Sequence, residues 1–249
     1  MSRVLLFRPL KNEKKIFEQI SDQIRELIYS GVLKPGDKLP AEKELSSQFS
    51  TGRMVVREAL RTLEQSGLIY VKRGSLGGAF VKDPDARVMT RSIEDLVKIG
   101  NVTHRELTEV RIGIELAVLE LAVKRRNSDD LALLKTNIEE SERQFSKGER
   151  GTEDNLDFHT LLARSSKNSL YVMIVESIMN VAAPFIRLLR PEIQYVNTIL
   201  KSHKEIYAAV KDRNLGKAKE KMEKHILDVN RKHMSIAEKR KFDAYAPKN

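Results

Sequence analysis

Apolar positions recur along this chain with two different periods, and the change of period divides it. Ile16, Ile20, Ile24, Leu27 and Ile28 fall at helical spacing and predict an amphipathic helix ending at Gly31. Val32 to Lys38, with Pro35-Gly36-Asp37, is turn chemistry. Leu39, Leu45 and Phe49 then give one apolar edge to a short helix opened by Pro40 and Glu42. Ser50-Thr51-Gly52 breaks it, with Ser50 and Thr51 as candidate N-caps for the next helix. That helix runs from about Arg53 to Ser66, buries Val56, Leu60 and Leu63, and stops at Gly67. Leu68 to Val71 and Ala79 to Val81 are short β-prone runs, and the glycine-rich segment between them predicts a hairpin.

Past Asp83-Pro84-Asp85 the strand signal vanishes, and from about Arg87 helical periodicity runs to the C-terminus. Leu107, Val110, Ile114, Ala117, Val118 and Leu121 line one predicted helix; Leu131, Leu134 and Ile138 line the next. Further helices cover roughly Glu153–Ala163, Ser169–Leu189, Tyr195–Arg213 and Leu215–Arg240, and Pro184 is expected to kink or break the one that holds it. Links as short as Asn127-Ser128 and Arg213-Asn214 imply antiparallel neighbours. The predicted fold is mainly α: an N-terminal winged helix-turn-helix over 1–82, a linker over 83–90, and an all-α antiparallel bundle of six or seven helices over 91–249. Met1 to Asn12 reads as a loosely held arm.

Charge sharpens the first half. The chain of 249 residues carries 45 Lys and Arg against 35 Asp and Glu. Through Lys82 there are 15 basic and nine acidic residues, so the excess of six concentrates in the smaller part and points to a polyanion. Arg53, Arg57 and Arg61 recur every fourth residue and share one helix face. Lys72 and Arg73 sit with Gly74, Gly77 and Gly78 in the hairpin tip, where missing side chains let the backbone approach a phosphate closely. Any one of these arginines taken alone is an ordinary surface cation. The ordered set of helix, turn, arginine helix and basic wing is a DNA-binding arrangement.

At these residues the chain resembles the GntR family of bacterial transcription regulators, through LPAEKELSSQF, GRMVVREALRTLEQSGLI and RGSLGGAFV. The resemblance implies DNA contacts at Lys43, Arg53, Arg57, Arg73 and Gly74. Gly52 and Met54 stand where the family usually has Ser or Thr.

Cysteine is absent, which excludes disulfides and thiolate metal sites. No apolar run is read as membrane-spanning and no signal peptide is recognised, so a soluble cytoplasmic protein without membrane partners is expected. All five histidines lie in the predicted helical bundle. His203 falls on the stripe Ile199, His203, Ile206, Val210, and His225 on Ala218, Met222, His225, Val229. His159 shares a face with Asn155 and Leu162. Spacing leaves two readings open: three separately satisfied core histidines, or three imidazoles converging on one cation. His104 and His233 read as helix-end or surface residues.

Asn155-x-x-Phe158-His159, His203 and His225 further resemble the FCD effector domain of the FadR subfamily. That pattern implies a divalent ion held by Asn155, His159, His203 and His225, with Asn155 where the family has an aspartate. Zn²⁺ is the default for imidazole ligands, with Ni²⁺ or Mn²⁺ as alternatives. Arg111, in EVRIGIE, either clamps a carboxylate effector or makes a structural ion pair with a bundle glutamate. The expectation is therefore a ligand-responsive repressor, not an enzyme, binding an inverted-repeat operator as a homodimer, with a small carboxylic acid as effector. Two rivals remain. One is a metal-dependent hydrolase fused to a DNA-binding head, disfavoured because no Asp or Glu shares the inward histidine stripes. The other is a non-specific nucleoid-binding protein.

Overall fold

The computed structural model describes residues 15–74, 77–83, 85–100 and 102–239. The arm over 1–12, Ser75 and Leu76 of the hairpin tip, Pro84 and Arg240 lie outside the described residues. The chain divides into two compact units, Met1–Val88 and Met89–Asn249.

The first unit holds α1 (Ile16–Tyr29), α2 (Glu42–Gln48), α3 (Arg53–Gln65) and the strands β1 (Ile69–Lys72) and β2 (Gly78–Val81). Its core joins Ile20 and Ile24 of α1 to Leu45 of α2 and to Val56, Leu60 and Leu63 of α3. Ser21 Oγ donates to the Ala59 carbonyl (3.1 Å), fastening α1 to the back of α3. The strands pair antiparallel with Ile69 opposite Val81 and Lys72 opposite Gly78. Leu39 N–H donates to the Ala79 carbonyl (2.8 Å) and Val81 N–H to the Asp37 carbonyl (2.8 Å), so the turn before α2 pins the wing to the core. The cap of α3 differs from expectation. It falls on Gly52, which has no side chain to offer, while Ser50 adopts a left-handed φ of 48° as the chain turns. Helix α2 likewise starts at Glu42 behind an Ala41 cap, two residues after Pro40.

Helix α4 (Arg87–Lys98) occupies part of the stretch expected as linker. Asp85 starts it by accepting from the Arg87 backbone N–H (3.0 Å). The second unit continues with α5 (His104–Arg125), α6 (Ser128–Ser146), α7 (Thr152–Ser165), α8 (Ser169–Leu189), α9 (Ile193–Lys211) and α10 (Leu215–Lys239). Capping boxes set two starts: Thr103 with Glu106 for α5, and Asn127 with Asp130 for α6. Val118, Leu119, Leu134, Phe158, Leu162, Ile206, Val210, Met222 and Ile226 meet in one core.

Three expectations change. The inward face of α5 is not the predicted stripe: Glu115, Val118, Leu119 and Ala122 are buried, whereas Val110 is 54% exposed. Apolar residues ring this helix on most sides, so periodicity alone gave no secure phase. Helix α8 runs on through Pro184 without a break. The carbonyl that Pro184 cannot pair belongs to Asn180, and both residues are exposed, so water can take the missing bond. The same helix is also long and apolar enough to cross a membrane by length and composition alone. Half of its apolar stretch is buried within the protein, as in a core helix.

Leu119 is fully buried at the centre of the bundle. Leu119→Ala is expected to lower unfolding free energy by about 2–5 kcal/mol, as a large-to-small core change does. A urea titration followed by circular dichroism measures it; an unchanged midpoint would contradict this placement.

Candidate nucleic-acid interface and metal centre

On the first unit, Lys43, Arg53, Arg57, Arg61, Lys72, Arg73 and Gly74 are all exposed. Arg57, Arg61 and Arg73 line one hollow between α3 and the hairpin. The arginine face is not left to solvent. Arg57 Nε and Nη2 donate to the two carboxylate oxygens of Glu42 (3.1 and 2.7 Å). This bidentate pair lowers the Glu42 carboxyl below its ordinary range, through the hydrogen bonds from Arg57 first. It occupies one edge of the guanidinium and orients the other, whose Nη1 lies 3.9 Å from Met54 Sδ. Glu42 is thus an orienting residue that the sequence reading noted only as a helix opener.

In the second unit α7, α9 and α10 bring His159, His203 and His225 together. Their ligand nitrogens all lie within 4.8 Å of one another, and all three residues are buried. The Nε2 atoms of His203 and His225 are 3.3 Å apart, as are those of His225 and His159. Zn–N bonds of about 2.0–2.1 Å at tetrahedral angles place two nitrogens about 3.3–3.4 Å apart, so two of the three edges already suit such an ion.

Neighbouring groups fix which nitrogen faces inward. Ser202 Oγ donates to the Ile199 carbonyl (2.7 Å), so its oxygen accepts from His225 Nδ1–H (2.7 Å). Glu115 Oε2 can only accept, so His159 Nδ1–H is the donor across 2.5 Å. Both rings therefore turn a bare Nε2 lone pair toward the centre, the tautomer that a metal requires. His203 is held flat against Phe158, ring centroids 4.1 Å apart and planes 10° apart. Two acceptor nitrogens gathered beside a third imidazole make a cation ligand set. Arg111 Nη2 now donates to His159 Nε2 (2.9 Å), occupying the lone pair that an ion would take.

Asn155 lines the same cavity, which has a volume of about 40 Å³. Its Nδ2 donates to the Arg150 carbonyl (3.3 Å), and its buried Oδ1 has no hydrogen-bond partner. A buried carbonyl oxygen without a donor suits a fourth ligand. The donor set therefore fits a divalent ion, with His159, His203 and His225 as nitrogen ligands and Asn155 as the oxygen ligand.

Glu115 corrects the view that no carboxylate accompanies the histidines. It comes from a fourth helix, α5, and is 2% exposed. Its other oxygen pairs with Arg111 Nε (2.6 Å), so the structural ion pair is the role Arg111 plays here. Burial pushes the Glu115 carboxyl up, but neighbouring His159 and the Arg111 guanidinium outweigh it and hold it down at about 2. The detectable signal was the four-residue Arg111/Glu115 spacing in EVRIGIE. Each Glu115 oxygen is engaged, one by the Arg111 guanidinium and one by His159, so its role in this arrangement is to orient those two groups. His233, expected at the surface, is buried, with an unpartnered Nε2. His104 is partly buried and packs on Phe185, ring centroids 4.1 Å apart. Arg150 also lines the cavity and was not anticipated; its Nε donates to the Pro191 carbonyl (3.0 Å).

Comparison with known proteins matches residues 16–81 to the bacterial regulatory proteins of the gntR family and residues 106–228 to the FCD domain. The chain belongs to the GntR family. This GntR-family chain is 28% identical over 240 residues to the Uxu operon regulator of Haemophilus influenzae, covering 93% of this chain and 87% of that one. It is 28% identical over 208 residues to the HTH-type transcriptional regulator LutR of Bacillus subtilis, covering 82% and 94%. Among solved structures, Streptococcus agalactiae GntR superposes with a TM-score of 0.63 at 26% identity, covering 86% of this chain and 99% of that one. The families and relatives are transcription regulators, so this GntR-family protein is a DNA-binding regulator with an FCD domain and not an enzyme.

Two outcomes follow from the site. Glu115→Gln keeps the shape but removes the charge that orients His159, and is expected to weaken Zn²⁺ binding about 10–100-fold. Asn155→Asp should tighten it. Competition titration with a chromophoric chelator reads both, and equal affinities in all three proteins would remove Glu115 from the metal's surroundings.

The second concerns acid. Burial holds His203 and His225 well below the ordinary histidine range, and holds His233 down at about 4. Below about pH 6.5 the unfolded chain binds these protons and the folded chain does not, so stability falls as pH drops. Each such histidine contributes a slope of about 1.4 kcal/mol per pH unit until its own folded value is reached. Urea unfolding of chelator-treated protein at pH 7.5 and 5.5 should show the lower midpoint at pH 5.5; equal midpoints would count against buried neutral imidazoles.

Proposed function

We propose that this protein is a cytoplasmic repressor that binds an inverted-repeat operator as a homodimer and responds to a small carboxylic acid bound in the second unit. Helix α3 enters the major groove, where Arg57 and the neighbouring Arg53 reach base edges. Lys43, Arg61, Lys72, Arg73 and the backbone at Gly74 serve the phosphates. Two-fold protein symmetry requires matching half-sites. The repressor direction is supported by a relative named HTH-type transcriptional repressor NanR, from Klebsiella aerogenes, 24% identical over 241 residues and covering 94% of this chain and 91% of that one.

The observation that carries the effector reading is the pair of unprotonated inward Nε2 atoms, that of His159 accepting from the Arg111 guanidinium. A divalent ion, Zn²⁺ by default with Ni²⁺ or Mn²⁺ as alternatives, takes the imidazoles and the Asn155 oxygen. The acid's carboxylate then draws Arg111 away from His159, freeing the lone pair the ion requires. Metal and acid thus assist each other. A coupling of ~1–3 kcal/mol to operator affinity is enough to change occupancy.

Gel shifts on operator and scrambled duplexes at several salt concentrations test the DNA-binding roles. Arg57→Ala should cost about 1–3 kcal/mol on operator and little on scrambled DNA. Lys72→Ala should weaken both alike and reduce the salt slope by roughly one. An unchanged operator-to-scrambled ratio for Arg57→Ala would refute this reading face. Repeating the shifts with Zn²⁺ and L-lactate or succinate, on wild type and on His203→Ala/His225→Ala, tests the effector site; equal responses in the two proteins would refute it.

A further inference from the structure

An apolar side chain stands among the arginines of α3. Met54 directly follows Arg53, one turn before Arg57 and two before Arg61, so helical spacing places it on the edge of the cationic face. It is 70% exposed, more than any other large apolar side chain among the described residues. The rest of the helix spends its apolar residues inward: Val56, Ala59, Leu60 and Leu63 are buried and Val55 is half-buried. The core of the first unit is complete without Met54.

A lone exposed methionine elsewhere on the surface would need no explanation. This one is distinguished by its place and its neighbour. Glu42 holds Arg57 through Nε and Nη2, so the part of the guanidinium left free is centred on Nη1. Nη1 lies 3.9 Å from Met54 Sδ. The end of Arg57 that can meet a base is therefore the end beside the thioether. Consecutive base pairs stack about 3.4 Å apart, so a guanidinium docked on one base pair brings Met54 to the adjoining one.

Chemistry decides what Met54 can recognise there. In the major groove the base edges show hydrogen-bond donors and acceptors, and thymine alone adds a C5-methyl. A thioether donates no hydrogen bond and accepts only weakly, so packing it on an amino or carbonyl edge would desolvate that group without replacing its partner. Against a methyl, the unbranched and polarisable side chain adapts its shape and buries apolar surface on both sides. We infer that Met54 is a specificity-determining residue that reads the C5-methyl of a thymine, at the base pair adjoining the one Arg57 contacts. This rests on the proposed placement of α3 in the major groove.

Selection from a random duplex pool with the full chain supplies the operator, and a parallel selection with Arg57→Ala marks the base pair whose preference relaxes. Each thymine of the selected half-site is then replaced in turn by deoxyuridine, which lacks the C5-methyl. Gel shifts read the affinities of wild type, Met54→Ala and Met54→Leu. Wild type should lose about three- to fivefold on deoxyuridine at one position, next to the base pair marked by Arg57→Ala, the worth of one buried methyl. Met54→Ala should show that loss on the thymine operator already and no further loss on deoxyuridine. Met54→Leu should keep the sensitivity, because it keeps the apolar contact. Met54 is exposed, so neither substitution disturbs the core. Equal wild-type affinity for every deoxyuridine duplex would overturn the inference, as would an identical deoxyuridine penalty in Met54→Ala. In both cases a preference lost in Arg57→Ala would leave the reading helix standing. If wild type enriches no sequence, the placement of α3 fails, and this inference fails with it.

Discussion

The interior of the second unit depends on one buried carboxylate. Glu115 accepts from Arg111 through one oxygen and from His159 through the other, joining α5 to α7 at the point where the three imidazoles meet. A buried guanidinium without its partner would leave an uncompensated charge, typically a cost of about 3–5 kcal/mol. An unanchored His159 would lose both its tautomer and its direction. The pair is therefore structural and chemical at once. It holds two helices together, and it decides which nitrogen of His159 faces the cavity.

Charge explains why Asn155 is compatible with this arrangement. A neutral ligand in place of an aspartate leaves the three imidazoles and the amide with no net negative charge to offset a divalent ion. Glu115 supplies one negative charge through the His159 ring instead of by direct contact. Arg111 opposes it, and that balance is what a carboxylate near Arg111 would alter.

The first unit uses the same device on a smaller scale. Glu42 fixes one edge of Arg57 on an exposed helix face, limiting the rotamers of a long side chain before DNA arrives. The wing is fixed differently, by backbone bonds from residues 36–39 to β2. Gly74 and Gly78 of the wing have φ of 109° and 142°, which side chains rarely adopt, so the hairpin tip turns where cations stand.

The sequence alone determined the regulator's type. Hydrophobic period is a local property, so the switch from hairpin to continuous helices could be read residue by residue, as could the arginine face of α3 and the inward placement of His159, His203 and His225. Tertiary structure decided what depends on groups from separate helices. Glu115, eighty-eight residues from His203 and forty-four from His159, joins the triad only because α5 packs against α7 with its Arg111 and Glu115 face inward. That face could not be chosen from a helix apolar on most sides. His233 gave no signal either, because burial at the end of a long helix depends on what covers it, here Tyr195 of α9 and the lining of the cavity. Spacing fixes which residues share a face, but the packing of other helices decides which face is buried and what it meets.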